Sequence, residues 1–306
     1  MGKTKDAVKK APEKKRKSLK FKVTVTIVLI LVAALVITVG SSVIINQNFM
    51  VSFYQITSDK VSDNIRIIEL SDLHNSEYGE KNSKLISKIE SLHPDIIVYA
   101  GDMMNEQDDD YSILFDLSEK LSEIAPIYAC YGNNELDQQL FFDKTFKDQL
   151  AEHNITLLSN EEKTVTVGNT DIQLIAISDN VEQFDVQTNN AKKFIEALEP
   201  TNNCRICLTH YPELFKSKLL NRDIDIAFTG HAHGGHIRVP RIGGLYSPGE
   251  GFLPTFSEGV VDAEDGTKVV VSRGLGNSSE ATGIKWLKIP RINNQPELVV
   301  VDVCWY

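Results

Sequence analysis

Side chains that can bind metal ions recur in this sequence at one kind of place, directly after an apolar run that predicts a buried strand. Five runs end in this way, in IIELSDLH, IIVYAGD, IYACYGNN, ICLTH and IAFTGHAHGGH, and they deliver Asp72, His74, Asp102, Asn133, His210, His231, His233 and His236. Asp72 and His74 are two residues apart, as are His231 and His233, so each pair points to one face of an extended segment. Ligands of α/β sheets bind beyond the carboxyl ends of the strands, so these side chains are expected to meet there.

The types of these side chains indicate which ion they would hold. Carboxylate, imidazole and amide ligands together favour Mn, Fe or Zn over Ca, without choosing among the three. Any one fragment, such as a D-x-H or a Gly-Asp after a strand, is more often an ordinary turn, but the five in succession each end an apolar strand. Gly101, Gly132 and Gly230 precede three candidate ligands, which suits tight turns and a close approach of the backbone. The sequence therefore predicts a metal site.

The elements that must position this site alternate along the chain. Predicted strands at NIRIIEL, DIIVYAG and PIYACYG alternate with amphipathic stretches NSKLISKIESL, YSILFDLSEKLSEI and DQQLFFDKTFKDQLAEH, which predict helices. This alternation is typical of βαβ units with buried, largely parallel strands. Further strands are predicted at FMVSFYQIT, RICLTH, DIDIAFTGH, TKVVVSRGLG and PELVVVDV, with a helical ELFKSKLL and a hairpin in TVTVGNTDIQLIAIS that turns at GNT. Residues 47–306 are enough for one large domain, and the predicted fold class is α/β, with two sheets covered by helices.

The motifs D-x-H, G-D, G-N, H and G-H-x-H, in that order, give the sequence a resemblance to the calcineurin-like metallophosphoesterase family, and especially to its membrane-anchored bacterial branch. The resemblance extends over nearly all of residues 60–306, including GGLYSPGEGFLP, SRGLGNS and RINNQPELVVV. It implies a four-layer αββα sandwich with two divalent metal ions between the sheets, and hydrolysis of phosphate mono- or diesters. Carried over motif by motif, the first metal would bind Asp72, His74 and His233, the second would bind Asn133, His210 and His231, and Asp102 would bridge both. Two cations about 3.5–4 Å apart can bind phosphoryl oxygens, activate water and stabilise an in-line displacement.

The sequence departs from the family pattern at two positions. The usual G-N-H-[DE] is GNNE at residues 132–135, so that Asn134 occupies the place of the family's catalytic histidine. The last Asp of the usual G-D-x-x-D is Asn105. An amide can donate a hydrogen bond to a phosphoryl oxygen but cannot protonate a leaving oxygen. General acid catalysis typically contributes about 10²–10⁴-fold, so the loss is expected to slow hydrolysis without abolishing it.

These two departures from the family pattern allow two interpretations of the function. If the chain is an enzyme, Asn134 and His236 are the candidate catalytic residues, and His236, Arg273 or Asn277 are candidates for phosphate contacts. The alternative is a degenerate, weakly catalytic or non-catalytic metal-binding module that recognises a phosphorylated ligand.

The N-terminal segment has a separate character. Residues 1–22 carry ten basic and two acidic residues, and residues 23–45 carry no charge. A helix of that length spans roughly 35 Å, enough to cross a hydrocarbon core of about 30 Å. By the positive-inside rule, we expect a cytoplasmic tail at 1–22, a single-pass signal anchor in the cytoplasmic membrane at 23–46, and a domain at 47–306 on the outer side. A cleavable signal peptide and a buried strand pair are the alternatives.

Net charge limits the partners that can be expected, and the cysteine positions indicate the state of the thiols. The chain has a formal net charge of −10, and residues 23–306 carry 22 basic against 40 acidic residues. A protein that binds nucleic acid needs clustered Lys and Arg, so nucleic acid is not an expected partner of this acidic chain. The expected partners are a phosphoester substrate and the lipid bilayer. Cys204 and Cys207 form a C-x-x-C inside a predicted strand, where residues three apart point to opposite faces, so buried free thiols are expected. The sequence gives no indication of the oligomeric state.

Overall fold

The chain divides into two units, Met1–Ser41 and Ser42–Tyr306. The computed structural model describes residues 13–105, 110–137, 143–178, 190–277 and 291–305. Residues 13–41 of helix α1 (Glu13–Ile45) make up the described part of the first unit, and the last turn of the helix belongs to the second. Within it, the stretch Lys20–Ser42 is long and apolar enough to cross a membrane, and no other helix of the described residues is. The expected apolar helix is present, and both an anchor and a signal sequence have this length and composition.

The second unit contains two six-stranded sheets. The first sheet has the order β1-β16-β2-β3-β4-β5, where β1 is Met50–Thr57, β2 Ile65–Leu70, β3 Ile96–Ala100, β4 Ile127–Cys130, β5 Ile155–Leu157 and β16 Glu297–Cys304. Strands β2 to β5 are parallel to one another. The last strand, β16, lies between β1 and β2, parallel to the former and antiparallel to the latter.

The second sheet has the order β14-β15-β9-β8-β7-β6. Its strands are β6 (Glu161–Val167), β7 (Thr170–Ile177), β8 (Cys204–Thr209), β9 (Ile226–Thr229), β14 (Gly259–Asp262) and β15 (Lys268–Val271). Strands β7, β8, β9 and β15 are parallel, while β6 and β14 run antiparallel at the two edges. Two small antiparallel ribbons follow β9, pairing β10 (Arg238–Val239) with β11 (Gly243–Gly244) and β12 (Tyr246–Ser247) with β13 (Gly251–Phe252).

Helices cover the outer faces of both sheets. They are α2 (Ser83–Leu92), α3 (Ser112–Ser122), α5 (Lys144–Glu152) and α6 (Asn190–Ala197). The short helix α4 (Asn133–Asp137) lies in the loop after β4, and 3₁₀ turns form at Glu80–Asn82, Pro212–Lys216 and His233–Gly235. Helix α2 buries Leu85, Ile89 and Leu92, the spacing of one helical face. Helices α2, α3 and α5 pack on the first sheet, and α6 packs with Pro212–Lys216 on the second. The inner faces of the two sheets form a third cluster, so the four-layer αββα prediction is confirmed.

Several local predictions need correction or refinement. Most strand pairings are parallel, as expected, but both sheets are mixed because β6, β14 and β16 are each antiparallel to a neighbour. The segment ELFKSKLL forms only the short 3₁₀ turn that begins at Pro212, not a longer helix. Of DQQLFFDKTFKDQLAEH, α5 begins at Lys144 under the Asp143 cap, and residues 138–142 lie outside the described part. The hairpin is confirmed, with its turn at Gly168.

The cysteines are free thiols, as expected. Cys204 faces the cluster between the sheets, whereas Cys207 faces the cluster under α6. The alternation of side chains along β8 thus separates the two sulfurs onto opposite faces.

Candidate metal centre

The loops that carry the candidate ligands converge because their strands are neighbours. Strands β2, β3 and β4 are adjacent and parallel in the first sheet, and β8 and β9 are adjacent and parallel in the second. Their carboxyl ends bring five buried metal-competent side chains together, namely Asp72, His74, Asp102, His210 and His233. These side chains form two triads that share Asp72, each with ligand atoms within 4.8 Å of one another.

The first triad consists of Asp72, His74 and His233. His233 Nε2 lies 3.5 Å from Asp72 Oδ1, and the rings of His74 and His233 stack with centroids 5.1 Å apart. His74 Nε2 also lies 3.9 Å from Asp102 Oδ2, so the second carboxylate borders this triad. The three residues are those that the motif resemblance assigns to the first metal.

The second triad consists of Asp72, Asp102 and His210. His210 Nε2 lies 3.4 Å from Asp102 Oδ2 and 3.9 Å from Asp72 Oδ1. The Nδ1–H group of His210 donates to the carbonyl oxygen of Ala100 at 2.7 Å, which leaves Nε2 as the ligand atom of the neutral ring. This buried Nε2 has no hydrogen-bond partner among the described residues. A nitrogen with a lone pair, held against two carboxylates, fits a divalent cation.

His231 and Asn133 lie beside the second triad. His231 Nδ1 is 3.0 Å from Asn133 Oδ1, and its ring centroid is 5.0 Å from that of His210. The His231 backbone N–H donates to Asp72 Oδ1 at 3.2 Å. The structure therefore brings all seven motif residues to one place, and it adds Asp72 to the side that the resemblance gives to the second metal.

Close backbone contacts hold these loops together. A Cβ atom at Gly132 would lie 2.1 Å from Asp102 Oδ1, and one at Gly230 would lie 2.0 Å from Ser71 Oγ. Only glycine fits at either position, as the close approach inferred from the sequence requires. Asp72 and Asp102 have φ values of 50° and 54°, a region that costs a non-glycine residue about 1–3 kcal/mol. Such strain is found where the surrounding structure fixes a functional side chain.

Glu135 organises two of the ligand loops, a role that motif reading did not reveal. Its carboxylate accepts N–H groups from Gly132 at 2.7 Å, Asp102 at 3.0 Å and Met103 at 2.9 Å. The side chain is almost fully buried. Glu135 thus joins the loop after β4 to the loop after β3 and fixes the backbone of Asp102. The signal in the sequence was the acidic residue of GNNE, whose contacts depend on the fold.

Arg291 was also missed. Its guanidinium is fully buried, and Nη2 lies 3.2 Å from His233 Nδ1. It donates from Nε to Asn277 Oδ1 at 2.6 Å and from Nη1 to the carbonyl oxygen of Arg273 at 2.6 Å. Burial lowers its pKa to about 10, so the group stays cationic at neutral pH. No spacing in the sequence links it to His233, because the contact is made by the fold.

The candidate catalytic residues lie at the edge of the first triad. Asn134 is buried; its backbone N–H donates to Asp102 Oδ1 at 2.9 Å, and its Nδ2 lies 3.1 Å from His74 Nδ1. His236 stacks on His233 with ring centroids 5.0 Å apart. Of the candidates for phosphate contacts, Arg273 forms an ion pair with Glu258, and Asn277 accepts the bond from Arg291 described above.

In the second triad, His210 and Asp102 form a buried ion pair. Burial alone would lower the pKa of His210, but the carboxylates of Asp102 and Asp72 outweigh it and raise that pKa to about 10. Burial opposes ionisation of Asp102 as well, yet His210 and His74 bring its pKa down to about 2. The pKa of Asp72 rises to about 6, mainly through burial. A proton on His210 therefore occupies the place where a cation would neutralise both carboxylates.

Three further imidazoles of the centre are neutral. Burial, aided by the charge of His210, lowers the pKa of His231 to about 3. Burial and His74 hold the pKa of His233 well below its ordinary value, and burial with Arg291 lowers that of His236 to about 4. The neutral imidazole is the form that binds metals, so these rings are prepared for coordination.

The chain is similar in sequence to a known family and to named relatives. A sequence model described as calcineurin-like phosphoesterase matches residues 65–235, more than half of the chain. The chain is 26% identical over 250 residues to phosphodiesterase YaeI of Escherichia coli (strain K12), spanning 78% of this chain and 82% of that one. It is 25% identical over 219 residues to the uncharacterized metallophosphoesterase YkuE of Bacillus subtilis (strain 168), spanning 70% and 73%. Among solved structures it resembles the NAD nucleotidase of Haemophilus influenzae, with 17% identity and a TM-score of 0.45 over 70% of this chain and 46% of that one. The chain belongs to the calcineurin-like phosphoesterase family and is a metal-dependent phosphoester hydrolase whose two buried triads are consistent with a dinuclear centre.

Proposed function

We propose that the protein hydrolyses phosphate diesters or monoesters at the outer face of the cytoplasmic membrane. The observation that carries the hydrolytic part is the buried convergence of Asp72, Asp102 and three imidazoles from two sheets. Diesters are placed first because the relative YaeI bears the name phosphodiesterase.

The proposed ligand sets follow the motifs. Asp72, His74 and His233 would hold one metal, and Asn133, His210 and His231 the other, with Asp102 between them. The position of Asp72 Oδ1 supports an additional role, because this atom lies 3.5 Å from His233 Nε2 and 3.9 Å from His210 Nε2. Mn, Fe and Zn all suit this donor set.

Divalent metals bound there would supply Lewis-acid activation of the phosphoryl group and a water that ionises near neutral pH. The chain itself supplies orientation and charge. Glu135 fixes the loop of Asp102, and the buried cation of Arg291 borders His233. Both hydrogens of Asn134 Nδ2 already have acceptors, the carbonyl oxygen of Met104 at 2.8 Å and His74 Nδ1 at 3.1 Å, and the amide holds no acidic proton for a leaving oxygen. His236 is the proposed source of a further contact to phosphate.

The missing general acid has a measurable consequence. An alkoxide that leaves unprotonated is a poor leaving group, so aryl diesters should be cleaved far faster than simple alkyl diesters. The test uses the full chain in detergent with Mn²⁺, comparing bis(4-nitrophenyl) phosphate with an alkyl diester such as glycerophosphocholine. Hydrolysis that is lost with EDTA and restored by Mn²⁺ supports the proposal. Equal rates on both esters would show that another group supplies the proton.

The location rests on the charge pattern of the N-terminus. We propose a cytoplasmic tail at residues 1–22, a signal anchor at 23–46 and the hydrolase domain at 47–306. Protease added to intact cells should then degrade the domain and spare the tail. A soluble, released domain with a new N-terminus would instead identify a cleaved signal peptide.

A second candidate function is recognition of a phosphorylated ligand without turnover. Asn134, in the place of the family's catalytic histidine, is the observation that favours it. Two bound metals with no hydrolysis of any activated ester would support recognition and exclude the hydrolase.

A further inference from the structure

A set of exposed apolar side chains follows directly after the metal-binding loop. Ile237, Ile242, Tyr246, Phe252 and Leu253 leave between 37% and 83% of their surface exposed. They lie on or beside the two ribbons β10–β11 and β12–β13. We call these five side chains the ribbon surface.

Backbone hydrogen bonds join the two ribbons. The Leu245 N–H donates to the carbonyl oxygen of Ile237 at 2.9 Å, and the Leu253 N–H donates to that of Leu245 at 2.9 Å. The rings of Tyr246 and Phe252 pack edge to face across the second ribbon, with centroids 5.5 Å apart. Two-stranded ribbons are marginally stable alone in water, and a contiguous exposed apolar patch marks an interaction surface.

The charge of this segment differs from that of the acidic domain. Between residues 237 and 253 the charged residues are Arg238, Arg241 and Glu250. The guanidinium of Arg238 is paired with Glu258. Glu250 is turned inward, where its carboxylate pairs with Lys216 at 2.8 Å and accepts two backbone N–H groups. Arg241 is exposed at the tip of the first ribbon. Apolar and aromatic side chains beside an exposed cation are typical of segments at an anionic membrane interface.

Hydrogen bonds connect the first ribbon to the residues at which the apolar segment ends. Ser42 is the last residue of that segment, and its Oγ accepts the N–H of Asn293 at 3.4 Å. Asn46 Nδ2 donates to the carbonyl oxygen of Arg291 at 2.9 Å. Asn293 Nδ2 in turn donates to the carbonyl oxygen of Arg238 at 3.2 Å. Asn293 thus joins Ser42, the first residue of the second unit, to the base of the ribbons.

The ribbons also pack directly on the metal-binding loop. A Cβ atom at Gly235, two residues after His233, would lie 2.4 Å from the Cα atom of Gly244. Arg238 Nη1 donates to the carbonyl oxygen of Gly234 at 2.9 Å. The metal ligand His233, the ribbons and Ser42, the first residue of the second unit, therefore belong to one connected set of contacts.

We propose that the ribbon surface docks on the bilayer in which the chain is anchored and holds the metal centre at the level of the lipid headgroups. This inference rests on the proposed anchoring and hydrolysis, and it narrows the substrate to phosphoesters of membrane lipids. Docking lets a fixed, membrane-bound site meet the phosphate of a lipid that stays in the same bilayer.

The first test measures contact with lipid and needs no catalysis. The full chain carrying Phe252→Trp is reconstituted in vesicles of phosphatidylcholine and phosphatidylglycerol that contain a shallow spin-labelled lipid. The chain's own two tryptophans are measured in the parent and subtracted. Fluorescence from position 252 should be quenched, whereas that of the control Lys163→Trp, exposed on β6, should not. Equal quenching at both positions, or no quenching at position 252, would overturn docking on the bilayer. A cross-link from position 252 to a second copy of the chain would also overturn it.

The second test measures the consequence for turnover. The double substitution Phe252→Ser with Leu253→Ser should lower hydrolysis of a vesicle-embedded lipid phosphodiester about tenfold, while hydrolysis of soluble bis(4-nitrophenyl) phosphate stays unchanged. An equal fall on both substrates, or no fall on the lipid, would contradict the inference. If no form of the protein hydrolysed the soluble ester, the proposed function would fail, and the quenching result would still decide the docking surface.

Discussion

Replacing Glu135 by Gln tests whether one buried carboxylate positions the metal centre. In the native protein its two oxygens accept three backbone N–H groups, from Gly132, Asp102 and Met103. Hydrogen bonds to a charged acceptor contribute about 1.5–3 kcal/mol each, and neutral ones about 0.5–1.5 kcal/mol. The amide of Gln keeps one accepting oxygen and turns an NH₂ group towards one N–H, so one buried donor loses its partner.

The expected loss of unfolding free energy for Glu135→Gln is about 2–4 kcal/mol, since relief from burying a charge offsets part of the lost bonding. Burial and the neighbouring Asp102 raise the pKa of Glu135 to about 7, so the comparison is made at pH 8, where the carboxyl is ionised. Because the Asp102 backbone loses its support, kcat/KM on bis(4-nitrophenyl) phosphate should fall about 10–100-fold, the usual effect of an outer-sphere partner of a metal ligand.

Urea unfolding and steady-state kinetics measure the two effects on the same sample. Glu152→Gln, at the exposed end of α5, is the matched control and should change neither. A stability loss with unchanged kcat/KM at saturating Mn²⁺ would refute the positioning role, and unchanged stability would refute the bonding estimate.

Three further predictions follow from the same geometry. The pKa of His210 is raised above its unfolded value of 6.5 to about 10, so its stabilising effect is full below pH 6.5 and is lost as the pH rises through 10; the Tm of EDTA-treated protein should fall across this range, and Mn²⁺ should abolish the fall. Asn134→His should raise the turnover of alkyl diesters, by up to the roughly 10²–10⁴-fold that is typical of general acid catalysis, and should raise the turnover of aryl diesters less. An unchanged ratio of the aryl rate to the alkyl rate would count against a missing general acid. Gly276→Ala places a Cβ atom 2.1 Å from the carbonyl oxygen of Leu73 and should destabilise the chain by about 1–3 kcal/mol in urea unfolding. Gly40→Ala, whose Cβ atom meets nothing within 4 Å, should not destabilise the chain.

Local sequence patterns predict much of the fold. Strand β3 is uniformly apolar and β8 is mostly apolar, and each is followed directly by a metal-competent residue or a turn, so both their type and their ends could be predicted. The ligands could be found for the same reason, because each one follows a strand end. Parallel neighbouring strands then bring these ends together without further information.

The features that could not be predicted from the sequence depend on contacts between segments that are distant along the chain. No local pattern places β16, the last strand, between β1 and β2, and this insertion makes the first sheet mixed. The buried Arg291 meets His233 across 58 residues of sequence, and Glu135 reaches the loop of Asp102 across 33. The resemblance placed Asp72 on one metal only, whereas the structure has it facing both triads.

The central claim is that this one buried cluster binds two metals and hydrolyses phosphoesters with them. The most direct measurement is metal content by mass spectrometry, with hydrolysis of bis(4-nitrophenyl) phosphate in the same sample, for the native chain and for Asp102→Asn. Asp148→Asn, which alters only a surface ion pair on α5, is the control. The account predicts two metals per chain and hydrolysis in the native and control proteins, and a loss of both in Asp102→Asn. Two metals retained by Asp102→Asn with undiminished hydrolysis would contradict it.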